Sequence, residues 1–218
     1  MPSGAAPEAP SAGPPFDARL GVAVLAAIPV LTGVVLGLSV AYGGLAAWAL
    51  GLLLYWAVLG GALLAWADRD WLREWLEARS PGRLVTFCLA APPILLGAMV
   101  MRQLGADPLP PHLLLAAALA AIVSGTLEEL FWRGALIPDP TPRSAAMSLG
   151  LYVVAQVIWL GALGLETGGP PVLPLLVGLA MGGVWTAARL ASGTVGAGVL
   201  SHAGFNLFAF AQVIALNA

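Results

Sequence analysis

Long apolar runs, separated by short polar or proline-rich stretches, dominate the chain. A helix needs about 20 apolar residues to cross the hydrocarbon core of a bilayer. Seven runs reach that length with only isolated polar residues inside them, so the pattern predicts an all-α polytopic membrane bundle of about seven transmembrane helices. These runs lie at roughly 20–43, 45–67, 84–104, 112–136, 144–164, 172–190 and 194–216. Gly178 and Gly182 form a pair of small residues four apart in the sixth run, which predicts close helix packing.

A different pattern lies between the second and third runs. The segment DRDWLREWLEARSPGR places two tryptophans and two leucines on one face of a helix and charged residues on the others. An amphipathic helix of this kind is expected to lie in the membrane interface. The pattern therefore predicts an interfacial amphipathic helix over 68–80, which ends before Pro81. Its apolar face consists of Trp71, Leu72, Trp75 and Leu76.

The composition agrees with a membrane protein. Hydrophobic residues make up 60% of the chain and charged residues 9%, whereas soluble domains carry about 25% charged residues. This excludes an ordinary soluble globular protein. The nine cationic residues, all of them Arg, and eleven acidic residues give a net charge of −2, so nothing favours a nucleic acid as a partner. Residues 1–16, rich in Pro, Ala, Gly and Ser, are predicted to be a disordered tail, followed by N-terminal transmembrane helices over 17–110 and a core of helices over 111–218.

The arginine positions predict how the chain is oriented. Positive charges near the ends of membrane helices favour the cytoplasmic side. With the N-terminus in the cytoplasm, only Arg102 falls outside, which predicts a multi-pass protein of the cell membrane with a cytoplasmic N-terminus. The eight others then lie on or near the cytoplasmic side: Arg19, Arg69, Arg73, Arg79, Arg83, Arg133, Arg143 and Arg189.

Two adjacent carboxylates, Glu128 and Glu129, interrupt the fourth apolar run. Ionisable residues inside a span are costly, so each is by default a candidate for function. Glu129 and Arg133 are four apart and share a helix face, which predicts an ion pair. Glu128 lies about 100° away around the helix and lacks that partner. It can act as a general base on water, although a pair of interfacial charges without chemistry explains the same pattern.

Two further polar pairs lie in the fifth and last runs. His202 and Asn206 are four apart, so an imidazole and an amide share one helix face. Together they can bind a metal, orient a water or stabilise an oxyanion, or they can join two helices by hydrogen bonds. Tyr152 and Gln156 have the same spacing in the fifth run. Gln156 can donate and accept hydrogen bonds, but it cannot act as a base.

These motifs resemble those of the CPBP group of intramembrane proteases, which includes type II CAAX prenyl endopeptidases and bacteriocin-processing or self-immunity proteins. The family carries EExxxR, FxxxH and HxxxN on successive membrane helices. Glu128, Glu129 and Arg133 match the first motif, and His202 and Asn206 match the third. In the second motif Tyr152 and Gln156 replace Phe and His. The resemblance covers roughly residues 112–216.

The resemblance implies an intramembrane endopeptidase that cleaves a membrane-associated protein or peptide in the lipid bilayer. It implies a catalytic cluster of Glu128, Gln156, His202 and Asn206, with Glu129 and Arg133 as structural support. With Gln156 in place of a His, a divalent metal such as zinc would have Glu128 and His202 as ligands and Asn206 as a weak third, one strong nitrogen donor short. A route in which Glu128 activates the water without a metal is affected less, so a metal site and a metal-free site both stay open. The arginine positions lead us to expect that substrate and water enter from the cytoplasmic side.

Two other functions remain open at this stage. The same fold could serve as a pseudoprotease that binds membrane partners without cutting them, because Gln156 has replaced a catalytic His of the family. A small transporter is less well supported. The polar residues of a transporter would be spread along a path through the membrane, whereas here they cluster near the cytoplasmic end of one helix and within two others.

Overall fold

The computed structural model describes residues 15–67 and 69–218, so all but the end of the predicted tail over 1–16 lies outside the described residues. Eight α-helices form within these ranges. In chain order they are α1 (Ala18–Tyr42), α2 (Gly44–Trp66), α3 (Arg69–Trp75), α4 (Arg83–Ala106), α5 (Pro111–Glu129), α6 (Pro142–Ala155), α7 (Leu173–Ser192) and α8 (Gly196–Asn217). A π-helical turn over Leu130–Ala135 extends α5, and a 3-10 segment over Gln156–Gly161 extends α6.

The seven predicted transmembrane helices are confirmed. All of the helices except α3 are long and apolar enough to cross a membrane, counting α5 and α6 with their extensions. Their outer faces carry large apolar side chains with more than half of their surface exposed, such as Leu64, Leu84 and Leu115. Such faces suit contact with lipid rather than water.

Small residues set the closest helix contacts. α8 packs along α5 and α4, and α6 packs against α7. A Cβ atom on Gly125 of α5 would lie 2.7 Å from the backbone nitrogen of Ala203 in α8, so the two backbones approach as closely as glycine permits. On α7, Gly178 lies against the side chain of Gln156 and Gly182 lies against the ring of Tyr152. The close packing predicted for this glycine pair is confirmed.

The interfacial helix is shorter than predicted: it spans Arg69–Trp75 rather than 68–80. The chain leaves the helical path because it packs on the turn between α7 and α8, where the carbonyl of Trp75 accepts a 2.7 Å hydrogen bond from the backbone N–H of Val195. The Trp75 ring lies over Gly134 and is buried in the bundle, while Trp71 and Leu76 remain partly exposed. Trp75 thus contributes to the core rather than to the face expected to meet the membrane.

The π-helical turn after α5 is fully inside the bundle. The backbone N–H of Leu136 donates to the carbonyl of Phe131, five residues earlier, at 3.0 Å. All six residues of Leu130–Ala135 are buried. π-turns of this kind occur frequently at functional sites, and this one directly follows the two adjacent glutamates.

Candidate active site

Glu129 is the buried centre of a charged cluster. Its Oε1 atom lies 3.2 Å from Nη1 of Arg133, so the predicted ion pair is present, and neither side chain is more than 1% exposed. Arg133 also donates to the carbonyl of Gly182 at 3.2 Å, and its guanidinium lies 4.3 Å from the centre of the Tyr152 ring. A buried ion pair needs such additional partners to offset the loss of hydration. The cluster therefore links α5 and its π-turn to α6 and α7.

His202 is placed between the two glutamates. Its Nδ1 atom lies 2.9 Å from Oε1 of Glu129, and its Nε2 atom lies 3.9 Å from Oε2 of Glu128. A carboxylate paired with Arg133 accepts hydrogen bonds, so Nδ1 of His202 carries a proton and Nε2 faces Glu128. Trp185 of α7 stacks on the imidazole with the ring centres 3.6 Å apart and 13° between the planes. These contacts fix the orientation of the ring.

Glu128 faces the other way, toward open space. Its Oε1 atom accepts a 2.8 Å hydrogen bond from the hydroxyl of Ser124, which in turn accepts one from the indole nitrogen of Trp56 at 3.2 Å. Ser124 lies one helical turn before Glu128, so the spacing could have indicated this contact in advance. The sequence predicted no contact between Glu128 and Arg133. One oxygen of the Glu128 carboxylate instead accepts the hydrogen bond from the neutral Ser124 hydroxyl, and the other oxygen faces His202.

The four candidate catalytic residues line one cavity of about 440 Å³. They come from three helical segments: Glu128 from α5, Gln156 from the start of the 3-10 segment, and His202 and Asn206 from α8. The Gln156 amide nitrogen lies 3.4 Å from the carbonyl of Tyr152, a weak contact that leaves the amide on the cavity wall. An acid, an imidazole and two amides thus line one cavity.

The cavity extends from Glu128 away from the π-turn. Its walls continue through the second half of α8 as far as Val213, and through the start of α7. The loop 162–172, between α6 and α7, forms the rim of the far end, where the lining residues Leu163, Gly164, Gly169 and Pro171 are exposed, so the cavity opens at this end. The end beyond Glu128 is closed, because the π-turn residues and the two residues that follow it, Leu136 and Ile137, are buried. The closed end is the arginine-rich one, where substrate and water were expected to enter.

The donor set fits a metal poorly. Catalytic zinc sites use three protein ligands, mostly His nitrogen, carboxylate oxygen or Cys sulfur. The cavity offers one imidazole nitrogen, one carboxylate and two amides, and amides are weak ligands for such metals. Among residues 15–67 and 69–218, no group of three or more His, Cys, Asp or Glu is placed to hold a metal ion. The chemistry that this donor set supports is proton transfer and hydrogen bonding by the side chains themselves.

Comparison with known proteins gives one match. Residues 110–208 match the Rce1-like family model, described as type II CAAX prenyl endopeptidase Rce1-like. The matched segment, a little under half of the chain, runs from the start of α5 into α8 and includes all four candidate catalytic residues. It supports the CPBP family and an intramembrane protease of the CAAX type. No curated protein and no solved structure matches the chain.

Proposed function

We propose that this protein is an intramembrane endopeptidase that hydrolyses a peptide bond of a membrane-associated protein or peptide. The observation that carries the proposal is the single cavity shared by Glu128, Gln156, His202 and Asn206, with Glu128 beside His202 at its closed end. The match to a CAAX-type protease family over the same helices supports it. A membrane protein with this site needs a substrate that reaches it from within or beside the bilayer.

Glu128 acts as the general base in this mechanism. Oε2 of Glu128 and Nε2 of His202 are 3.9 Å apart, so one water can lie within about 2.8 Å of both atoms. Glu128 removes a proton from that water as its oxygen attacks the carbonyl carbon of the substrate. The same carboxyl then gives the proton to the leaving nitrogen as the C–N bond breaks, which restores the carboxylate.

The other residues hold the water and the developing oxyanion. His202, with its Nδ1 proton donated to Glu129, offers the lone pair of Nε2 to the water. The amide N–H groups of Asn206 and Gln156 are the neutral donors for the oxyanion of the tetrahedral intermediate. Glu129 and Arg133 support the site structurally and keep the imidazole in one tautomer. Gln156 thus serves as a hydrogen-bond donor where the family has a His.

We propose that the N-terminus lies in the cytoplasm of a cell whose membrane the protein spans. Arg133 and Arg189 are buried in the bundle, where they pair with other residues, so they do not report on orientation. Six arginines remain at the end of the bundle that contains the π-turn, namely Arg19, Arg69, Arg73, Arg79, Arg83 and Arg143, and one, Arg102, at the other end. This excess of arginine at the π-turn end still favours a cytoplasmic location for that end and for the N-terminus.

The test compares new protein N-termini in cell membranes that carry wild type or Glu128→Gln. The amide replaces the carboxylate with little change in size, and Glu77→Gln, at an exposed position outside the transmembrane helices, is the matched control. All three must accumulate to the same level. We expect a set of termini with wild type and Glu77→Gln that disappears with Glu128→Gln. Termini that are the same for all three would contradict the protease and support the pseudoprotease that binds without cutting.

A further inference from the structure

The direction of the cavity limits the route by which a substrate can reach Glu128. From His202 to Val213 the cavity follows α8 for eleven residues, or about 16 Å at 1.5 Å per residue. Both positions line it, so it runs through much of the bundle rather than forming a shallow pocket. Its far end lies beside the start of α7 and the end of α8, where the loop 162–172 crosses.

The other end of the site is sealed by close packing. Trp132 and Arg133 are 1% exposed, and Leu136 and Ile137 are fully buried. The ring of Trp75 covers Gly134 so tightly that a Cβ atom there would lie 2.7 Å from it. A peptide could reach Glu128 from this end only by displacing the core of the bundle.

The two ends of the bundle differ in the number of arginines that they carry. Apart from Arg133 and Arg189, six arginines of the described residues lie at the sealed end of the bundle and one, Arg102, lies at the open end, near the end of α4. The arginine-rich end is therefore the cytoplasmic one, and the mouth of the cavity faces the opposite side of the membrane.

The cavity wall also limits the chemistry of the occupant. Glu128 is the only Asp, Glu, Lys or Arg among the described residues that line it, and beyond the site the wall is mainly Leu, Phe, Trp, Pro and Gly. An unpaired charge enters such surroundings at high cost. The described lining also offers no arginine or lysine to receive a terminal carboxylate.

We propose that the substrate is an uncharged, apolar peptide segment that enters from the membrane face opposite the cytoplasm, with its chain termini outside the cavity. This inference rests on the proposed function, because the segment in the cavity is a substrate only if the protein is a protease. The access route itself does not depend on cleavage, so it can be tested separately. It reverses the cytoplasmic entry that the arginine positions, which place Glu128 near the cytoplasmic leaflet, led us to expect.

The entry side is tested by cysteine labelling in intact cells. Cys88 is the only cysteine of the chain, so Cys88→Ala provides a background without thiols. Thr167→Cys places a thiol in the loop at the mouth, and Ser80→Cys places its matched control at the sealed end. With a membrane-impermeant maleimide, we expect Thr167→Cys to react in intact cells and Ser80→Cys to react only after permeabilisation. The reverse pattern, or reaction of both in intact cells, would overturn the entry side.

The chemistry of the cavity is tested on the purified full chain in detergent. Ala209→Cys places a thiol on the cavity wall, and Thr167→Cys is its control at the mouth. Three methanethiosulfonate reagents of similar size, one cationic, one anionic and one neutral, are compared. We expect the neutral reagent to modify Ala209→Cys about tenfold faster or more than either charged one, with similar rates for all three at Thr167→Cys. Equal rates at both positions would overturn the apolar occupant.

These outcomes are independent of the protease test. If labelling follows the expected pattern while Glu128→Gln leaves the N-termini unchanged, the cavity admits an apolar segment but the protease is wrong. If cleavage depends on Glu128 while Thr167→Cys is shielded in intact cells, the protease stands and the entry side is wrong.

Discussion

Nδ1 of His202 lies 2.9 Å from Glu129, whereas its Nε2 atom lies 3.9 Å from Glu128. Two adjacent glutamates thus contact opposite edges of one imidazole. Glu129 is 0% exposed and belongs to the ionic core of the bundle, and Glu128 lines the cavity. The same substitution at these neighbouring positions should therefore have different consequences.

Glu129→Gln should destabilise the protein strongly, and Glu128→Gln should not. Without the Glu129 carboxylate, the buried Arg133 loses its only acidic partner within the described residues, which costs about 3–5 kcal/mol. A glutamine at 128 can still accept the hydrogen bond from Ser124. For a chain of this size we expect the midpoint of thermal unfolding to fall by roughly 10 °C for Glu129→Gln. Thermal unfolding of the purified variants in detergent measures this, and equal losses would contradict the division of roles.

Gln156→His should not create a better enzyme or a zinc site. Cγ of Gln156 already lies 2.8 Å from the position that a Cβ atom on Gly178 would occupy, so a ring there crowds α7. We expect Glu128-dependent cleavage to stay equal or fall, with no zinc retained after purification. The matched control is Gln212→His, farther along the same cavity. Bound zinc with a gain of cleavage in Gln156→His alone would instead support a pseudoprotease that lost its metal ligand.

Gly125→Ala should harm both stability and cleavage, whereas Gly183→Ala should stabilise the protein. At Gly125 a methyl group meets the backbone of Ala203 and forces α8 away from α5, at a cost of about 1–3 kcal/mol. His202 precedes Ala203 and moves with it. At Gly183 a Cβ atom meets nothing within 4 Å, so alanine should add up to about 1 kcal/mol in a helix. Unfolding midpoints and cleavage rates of both variants test this, and similar behaviour of the two would argue against the close contact.

Asn217→Ala should loosen the loop at the mouth of the cavity. The Asn217 amide accepts from the backbone N–H of Glu166 at 2.9 Å and donates to its carbonyl at 2.8 Å. We expect Ala209→Cys to react several-fold faster with the neutral thiol reagent when Asn217 is removed. Glu166→Ala is the matched control, because both bonds use the backbone of Glu166. A rate unchanged by Asn217→Ala, or raised equally by Glu166→Ala, would show that this pair does not hold the loop.

Local sequence patterns predicted much of this fold. The seven spans follow from the length of each apolar run, and the Glu129–Arg133 pair follows from a spacing of four on one helix. Both depend on neighbours in the chain, so the sequence contains them directly. The close packing at Gly178 and Gly182 was likewise indicated by the small residues of α7, although the pattern did not name the residues that pack there.

Contacts between helices could not be derived in the same way. The bond between His202 and Glu129 joins residues 73 positions apart and depends on how α5 and α8 are rotated and spaced. The close approach of Gly125 and Ala203 sets that spacing. Trp75 has the pattern of a residue that faces the membrane, yet the turn between α7 and α8 draws it into the core. The position of the open end of the cavity depends on all of these contacts between helices together.

The stack of Trp185 on His202 gives the site an optical signal. Emission from an indole is sensitive to an imidazole ring in van der Waals contact and to the proton that the ring carries. The chain has eight tryptophans, so Trp185→Phe isolates the contribution of this one by difference. Because Trp185 also lines the cavity, the difference spectrum should change when a peptide fills it. Occupancy of the site can then be followed by fluorescence with an unlabelled peptide.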